Sequence, residues 1–280
     1  MEVTAYLPNH PILKETIDCI YFLKRTKEEP PTAYFTFPTL NSILSVATNT
    51  RIDRGVSRDF IFHDPGQPFY SSLVTRFKRP FCFEYQGEIN EITIYFKPLG
   101  INAFFRKPLN SYPEGIDQPF VLDSNFEKEF TEILSRTSDL EKLKGVEDYL
   151  LSLYQSFEHS FLPTFVNALL DDTMEGLSLA ELVSKYAISQ KTIIKHFQRH
   201  LCKTPSEFRK IARFRKALQK FNQQEVPLSL TELTYILNYF DQSHLVKEFK
   251  ELTGFSPKTF FKQISPLENG TIQWMFTSNG

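Results

Sequence analysis

The feature that most constrains this sequence is an internal repeat between residues 178 and 260. "SLAELVSKYAISQKTIIKHFQRHLCKTPSEF" begins at Ser178, and "SLTELTYILNYFDQSHLVKEFKELTGFSPKTF" begins at Ser229. Each copy opens with Ser followed three residues later by Glu, which is a signal for the start of a helix. Each copy then passes through a short turn into a second helix with one apolar face. Each copy therefore predicts a helix-turn-helix.

Helical patterning extends beyond the two copies. Pro205 and Pro257 stand at first-turn positions, where a missing N–H costs nothing. We therefore expect residues 161–265 to form an all-α domain and residues 266–280 to form a tail. Start signals and apolar spacing predict seven helices, near 163–173, 179–186, 190–201, 205–221, 230–237, 242–253 and 257–263.

Residues 1–122 carry a different pattern, with short alternating runs such as "AYFTFP" and "EITIYF" separated by turn signals such as "HDPGQP". Many short strands of this kind predict a β-rich sandwich or barrel, which we describe as cupin-like. A short helix is expected near 98–109. The predicted fold class of the whole chain is therefore α+β, with a β-rich first domain and an all-α last domain.

Between these two parts, residues 123–160 predict two helices, near 124–136 and 138–159. Ser124 and Ser138 are each followed three residues later by Glu, so both are expected to cap their helices. The second helix carries a heptad-like apolar stripe, formed by Leu143, Val146, Leu150, Leu153 and Phe157. Two interpretations remain open at this stage, because such a stripe can form a dimer seam or pack on the sheet of its own chain.

Charge is distributed unevenly along the chain. Residues 177–265 hold 15 Lys and Arg against 7 Asp and Glu, a net charge of +8, whereas residues 1–176 have a net charge of −8. A basic segment of this size is typical of a nucleic-acid-binding domain. We therefore place the expected contact with nucleic acid in the helical part of the chain.

The second helix of each repeat copy carries polar and basic residues away from its apolar face. Gln and His side chains can bond base edges, while Lys and Arg can neutralise phosphates. The joining helix near 205–221 adds further basic residues. The candidate DNA-binding residues are Gln190, Lys191, Thr192, Lys195, His196, Arg199, Arg213, Lys220, Gln242, Ser243, His244, Lys247 and Lys250.

At these residues the sequence resembles the AraC family of bacterial transcription regulators. The resemblance covers residues 163–264 and is carried by "NYFDQSHLVKEFKELTGFSPKTF" and by "IARFRKAL". The sequence departs from the family pattern at Asn238, where a turn glycine is usual, at Cys202, where the first copy often has Gly, and at Lys247, which is commonly Arg.

This resemblance implies a cytoplasmic, sequence-specific DNA-binding transcription regulator. The expected partners are double-stranded promoter or operator DNA, a second copy of the chain through residues 124–160 or the N-terminal domain, and RNA polymerase. The N-terminal domain would be a sensor and oligomerisation module, and the sequence does not identify an effector. We expect no cofactor, no catalytic residues and no membrane segment.

Two further groups of residues in the N-terminal part are candidate sites. His63 and Asp64 lack the additional donors that a metal needs, so we interpret them as turn residues and expect no metal site. A set of aromatic residues could line an apolar ligand pocket or fill a core, and the core is favoured. This set comprises Phe77, Phe81, Phe83, Tyr85, Tyr95 and Phe96.

Two alternative functions remain open from the sequence. In one, the β-rich domain is a cupin-like enzyme fused to a DNA-binding tail. In the other, the chain is an effector-independent dimeric regulator.

Overall fold

The computed structural model describes residues 1–56, 58–112, 120–171, 177–222, 229–236, 239, 241–266 and 273–276. Its strands are β1 (Glu2–Tyr6), β2 (Ile17–Arg25), β3 (Thr32–Thr36), β4 (Ser42–Thr48), β5 (Thr50–Asp53), β6 (Arg58–His63), β7 (Phe69–Val74), β8 (Phe81–Gln86), β9 (Ile89–Phe96), β10 (Ser265–Pro266) and β11 (Gln273–Phe276). Its α-helices are α1 (Pro11–Thr16), α2 (Phe126–Ser135), α3 (Asp139–Leu153), α4 (Leu162–Leu170), α5 (Leu179–Lys185), α6 (Gln190–Leu201), α7 (Pro205–Asn222), α8 (Leu230–Ile236), α9 (Gln242–Thr253) and α10 (Pro257–Gln263).

Two sheets form the N-terminal part. The first has the strand order β1-β2-β9-β4-β7 with antiparallel neighbours. The second has the order β10-β11-β3-β8-β6-β5, in which β6 and β8 run parallel. Strand alternation gives the first sheet two buried faces. Along β2, Tyr21 and Leu23 join the core shared with the second sheet, whereas Ile20 and Phe22 join the core that includes α2 and α3.

The helical part follows the sequence expectation closely. Helices α4 to α10 correspond to the seven predicted helices, and six of them, α5 to α10, match the predicted ends to within one residue. Helix α4 ends at Leu170, three residues before the predicted end. The α+β fold class, with a β-rich domain, a helical hairpin and an all-α domain containing two helix-turn-helix units, is confirmed.

The predicted helical hairpin differs from the structure in detail. Helix α3 ends at Leu153, so Phe157 lies beyond it. Helix α2 has Asn125 rather than Ser124 at its N-cap, and Ser138 precedes α3 without a side-chain capping bond. The two capping predictions are therefore wrong. The expected helix near 98–109 is instead a pair of short 3-10 turns, Gly100–Ala103 and Leu109–Ser111.

The apolar stripe of α3 is used inside the chain. Leu143, Val146 and Leu150 are buried in the core that also holds β2, β4 and β9 residues. Leu153 packs against the same core, and Phe157 packs against the core of the helical part. Packing on the chain's own sheet is therefore the interpretation that the structure supports for Leu143, Val146 and Leu150, whereas Leu153 and Phe157 are half-buried.

The end of the chain returns to the β-rich part. Strand β11 pairs with β3, with Met275 opposite Phe35 and Phe276 opposite Tyr34. Trp274 is 1% exposed, and its ring stacks on that of Tyr34 with the centroids 3.9 Å apart. The C-terminal tail is therefore partly a component of the second sheet.

Buried cations also join the helical part to the β-rich part. The Lys203 ammonium donates a hydrogen bond of 2.5 Å to the Thr75 carbonyl, and burial lowers the pKa of Lys203 to about 8. The Arg215 guanidinium donates to the carbonyls of Phe37 and Pro38 at 2.6 and 2.7 Å, and burial lowers its pKa to about 10. Within the described ranges, every helix is too short or too polar to cross a bilayer.

Candidate nucleic-acid interface

Helix α6 is fixed by its N-terminal cap and its apolar face. The Ser189 hydroxyl accepts a hydrogen bond of 3.1 Å from the backbone N–H of Thr192, which satisfies one of the free donors at the helix start. Ile193, Phe197 and Leu201 are buried in the core that includes α4 and α5. This packing turns Gln190, Lys191 and the other polar residues of the N-terminal half outward.

Helix α9 repeats the arrangement in the second unit. The Asp241 carboxylate accepts a hydrogen bond of 2.8 Å from the backbone N–H of His244. Leu245, Phe249 and Leu252 are buried. The helix ends at Gly254, whose φ of 78° is the left-handed conformation that favours glycine.

Most of the candidate DNA-binding side chains lie on the exposed surface of these two helices. An exposed row of amide, hydroxyl, imidazole and cationic groups can form the bonds that base edges and phosphates require. The exposed candidates are Gln190, Lys191, Lys195, Arg199, Gln242, Ser243, His244, Lys247 and Lys250. Gln242 also donates to the hydroxyl of Thr231 at 2.9 Å, which orients its amide.

Arg213 occupies a different environment from the other candidates. Its guanidinium donates two hydrogen bonds of 3.0 Å to the Glu248 carboxylate and lies over the Tyr239 ring, 4.9 Å from the centroid. Tyr239 donates to the same carboxylate at 2.8 Å. These contacts hold α7 against α9 and engage the guanidinium within the chain, while a DNA contact by Arg213 stays a prediction.

Three other candidates are half-buried. The Thr192 hydroxyl hydrogen-bonds with that of Ser189 at 2.8 Å, next to the helix cap. The His196 Nδ1 lies 2.8 Å from Nε2 of another histidine, His159. Lys220 lines a groove of about 380 Å³ between α4 and α7, together with Arg209 and Lys216.

The histidine cluster was not found by sequence reasoning. His196 and His200 lie one turn apart on α6, and His159 approaches them from the segment before α4. The only sequence signal was the spacing of four between His196 and His200, because residue 159 is distant in sequence. Burial is the main cause that lowers the pKa of all three imidazoles, and the pKa of His200 falls to about 4.

A cavity of about 350 Å³ lies between the two sheets of the N-terminal part. Five of the six aromatic residues noted in the sequence line it, namely Phe77, Phe81, Phe83, Tyr85 and Tyr95, whereas Phe96 lies in the core on the other side of the first sheet. Arg54, Arg76 and Trp274 also line the cavity. The aromatic set therefore contributes five residues to the wall of the cavity and one residue, Phe96, to a core.

Polar groups at the cavity are organised by local bonds. Glu91 accepts hydrogen bonds from Tyr85 at 3.0 Å and from Thr93 at 2.6 Å, and burial raises its pKa. Arg54 pairs with Asp59 at 3.2 Å. His63 lies outside this cavity and is the last residue of β6, opposite Thr50 of β5, so its assignment to a turn is wrong. Its Nδ1 donates to the Glu88 carbonyl. Asp64 follows the strand and accepts from the Gly66 N–H.

Comparison with known proteins adds an independent finding. Residues 182–263 match the family described as a helix-turn-helix domain. No curated protein matches the sequence significantly. The turn residue Asn238, at which the sequence departs from the AraC pattern, lies outside the described residues.

Among solved structures, ToxT from Vibrio cholerae resembles the chain weakly. One form has 9% sequence identity and a TM-score of 0.43, with 94% of this chain and 98% of that chain covered. ToxT bound to an unsaturated fatty acid has 12% identity and a TM-score of 0.39, with 86% and 94% covered.

Proposed function

Because residues 182–263 form a helix-turn-helix domain of the AraC type, we propose that this chain is a transcription regulator that binds DNA through both α6 and α9. The observation that carries the proposal is the pair of capped helices with buried apolar faces and exposed polar faces. Helix α7 joins them and, at about 1.5 Å per residue, is about 27 Å long. Two recognition helices joined in this way can reach successive turns of the major groove, about 34 Å apart.

The exposed side chains divide into two proposed roles. Gln190 and Gln242 lie in the first turn of their helices, where amide groups can read base edges. Lys247 and Lys250 extend the cationic surface of α9 and would contact phosphates. Domains of this type act by binding rather than by chemical catalysis, so we propose no enzymatic activity.

Selection of bound sequences from random duplex DNA, followed by affinity measurement against salt, tests the proposal. We expect a motif with two half-sites about one helical turn apart and a steep loss of affinity with salt. Recovery of no motif, together with weak binding that depends only on salt, would contradict sequence-specific reading.

Substitutions in the selected complex separate the two roles. Gln242→Ala should weaken binding to the selected site by about 1–3 kcal/mol and leave binding to random DNA unchanged. Lys247→Ala should weaken both. Gln263→Ala, at an exposed position at the end of α10, serves as the matched control and should change neither. Equal losses on both DNAs for Gln242→Ala would exclude base reading by that residue.

The cavity between the sheets supports effector binding as a second element of the proposal. Its volume of about 350 Å³ is within the range of small-molecule sites, and its wall combines aromatic and aliphatic side chains with Arg54, Arg76, Asp59 and Glu91. This wall suits an apolar molecule. Because Arg54 pairs with Asp59, Arg76 is the cation that an acidic group on such a molecule would meet.

Trp274 provides a direct readout, because it is the only tryptophan of the chain and it lines the cavity. Anilinonaphthalene sulfonate is a suitable probe, since it is aromatic and anionic. We expect energy transfer from Trp274 to the bound dye, and Ser72→Phe, which narrows the cavity, should reduce dye binding. Equal binding by both proteins would place the dye elsewhere and remove this support.

Self-association and contact with RNA polymerase complete the proposed mechanism. Because Leu143, Val146 and Leu150 are buried, we propose that a dimer uses another surface, such as the part of α3 around Leu140, which is 66% exposed. Sedimentation velocity over a range of protein concentrations would test self-association.

A regulator of this class acts where the DNA is, so the expected compartment is the cytoplasm.

A further inference from the structure

Three histidines converge where the helical part meets the segment that precedes α4. One ring nitrogen of each residue lies within 4.8 Å of the others. His159 Nε2 and His196 Nδ1 are 2.8 Å apart. The three side chains are half-buried, so they are shielded on one side and open to solvent on the other.

Hydrogen bonds define which nitrogens are available. His159 Nδ1 accepts from the backbone N–H of Leu162 at 3.1 Å, so its proton is on Nε2 and is directed at His196 Nδ1. His200 Nδ1 donates to the Asn102 side-chain oxygen at 3.1 Å, which leaves its Nε2 with a free lone pair. The proton on His159 Nε2 therefore lies among the three ring nitrogens that could coordinate a metal ion.

We propose that His159, His196 and His200 form a binding site for one divalent transition-metal ion of the zinc type. Three neutral imidazoles are a donor set that suits Zn²⁺, Co²⁺, Ni²⁺ or Cu²⁺, whereas Mg²⁺ and Ca²⁺ prefer oxygen donors. Three protein ligands leave a fourth position for water or a further ligand. Asn102 holds the His200 ring in orientation, as second partners of metal-bound histidines commonly do.

Binding requires a shift of the imidazoles and a change in the tautomer of His159. Zinc–nitrogen bonds of about 2.0–2.1 Å in a tetrahedron place the nitrogens about 3.4 Å apart, so His159 and His196 must separate slightly. The proton of His159 moves from Nε2 to Nδ1, which leaves the Leu162 N–H without its acceptor. The total number of protons is unchanged. The ion then joins α6 to the segment before α4 directly.

Lys195 and Arg199 stand near His196 on α6, and their positive charges oppose any cation at this site. Binding must therefore come from coordination by the three imidazole nitrogens. This predicts selectivity for Co²⁺, Ni²⁺ and Zn²⁺ over Mg²⁺.

The test uses the full chain without a histidine tag. Titration with Co²⁺ should give the visible absorption of a nitrogen-coordinated ion at one equivalent, and Zn²⁺ should displace it. His159→Gln, His196→Gln and His200→Gln should each weaken binding by about 100-fold or more. The matched control, His63→Gln, removes an exposed histidine outside the cluster and should bind as the unmodified protein does.

A second variant keeps the proposal testable if a histidine substitution prevents folding. Asn102→Ala retains all three ligands and should weaken Co²⁺ binding by about 10–100-fold through loss of ring orientation. Circular dichroism would establish that each variant is folded. Absence of one-equivalent binding, or binding that the cluster variants leave unchanged, would overturn the proposal.

Discussion

At the scale of single residues, the residue that follows α6 and the residue that follows α9 both adopt the left-handed backbone conformation. The two repeat copies use different residue types at this position. Cys202 and Gly254 both follow their helices with positive φ, 54° and 78°. Cys202 is also buried in the core of the N-terminal part. The departure from glycine in the first copy is therefore compensated by packing that glycine could not supply.

We expect Gly254→Ala to lower the free energy of unfolding by about 1–2 kcal/mol, because a side chain in the left-handed conformation is strained. The space around this position is open enough for a methyl group, with the nearest side-chain atom 3.7 Å from an added Cβ. Gly254→Asn is the control, since Asn tolerates this conformation better. Urea unfolding measures both, and equal losses would argue against a conformational cause.

Lys203 leads to a prediction about pH. Its pKa is about 8 in the folded chain, compared with an ordinary value of 10.5, because burial disfavours the ammonium. Between these values the unfolded chain binds more protons than the folded chain, so the contribution of Lys203 to stability rises with pH. Below pH 8 both states are protonated, and the cost of burying the charge is fully present.

Lys203→Met removes this titration while retaining the length of the side chain. The stability of the unmodified protein should therefore increase, relative to the variant, as pH rises from about 8 to 10.5. Thermal unfolding of both proteins over this range provides the measurement. Parallel curves would show that the pKa of Lys203 is not lowered by folding.

At the scale of elements, the helix starts of the repeat were predictable because their signals are local. Ser178 accepts from the Glu181 N–H at 3.2 Å, and the Glu181 carboxylate accepts from the Ser178 N–H at 2.6 Å. The same pattern at Ser138 failed, although the helix itself formed. A Ser–Glu spacing therefore predicts where a helix starts better than it predicts which side chain caps it.

This difference provides a matched pair of substitutions. Ser178→Ala should lower the free energy of unfolding by about 1 kcal/mol, because it leaves a helix donor without its acceptor. Ser138→Ala should have little effect, since the Ser138 side chain makes no capping bond to α3. Chemical unfolding followed by circular dichroism compares the two, and similar losses would refute the assignment of the caps.

The end of α3 could not be predicted from the apolar spacing. Leu153 and Phe157 continue the stripe in sequence, but the helix stops at Leu153 and Phe157 joins a different core. The apolar spacing correctly predicted which side chains face a core. Tertiary contacts decided which core each side chain joins and where the helix ends. The dimer interpretation of the stripe was open for the same reason.

At the scale of the whole molecule, contacts between distant segments were the least predictable part of the fold. Trp274 lies about 240 residues from Tyr34, on which it stacks, and no periodic pattern connects the two. The histidine cluster was equally hard to predict, because His159 is distant from α6 in sequence and lies close to it only in the folded chain. Local patterns gave the helical domain and its exposed faces, whereas the cavity wall and the cluster required the packed chain.

Trp274→Ala should lower the free energy of unfolding by about 3–5 kcal/mol, because it removes a large and fully buried side chain. Phe276→Ala is the control in the same strand, since Phe276 is 43% exposed, and its loss should be much smaller. Guanidinium unfolding would compare them. A small effect of Trp274→Ala would mean that β11 adds little to the sheet.

The return of β11 to the second sheet has a consequence for the order of folding during synthesis. Strand β3 leaves the ribosome early, but its neighbour β11 is made only after all the helices between them. Until then the β3 edge has backbone groups without their final partner, and exposed edges of this kind promote aggregation. We therefore expect nascent chains that stop before β11 to depend more on chaperones than the finished chain does.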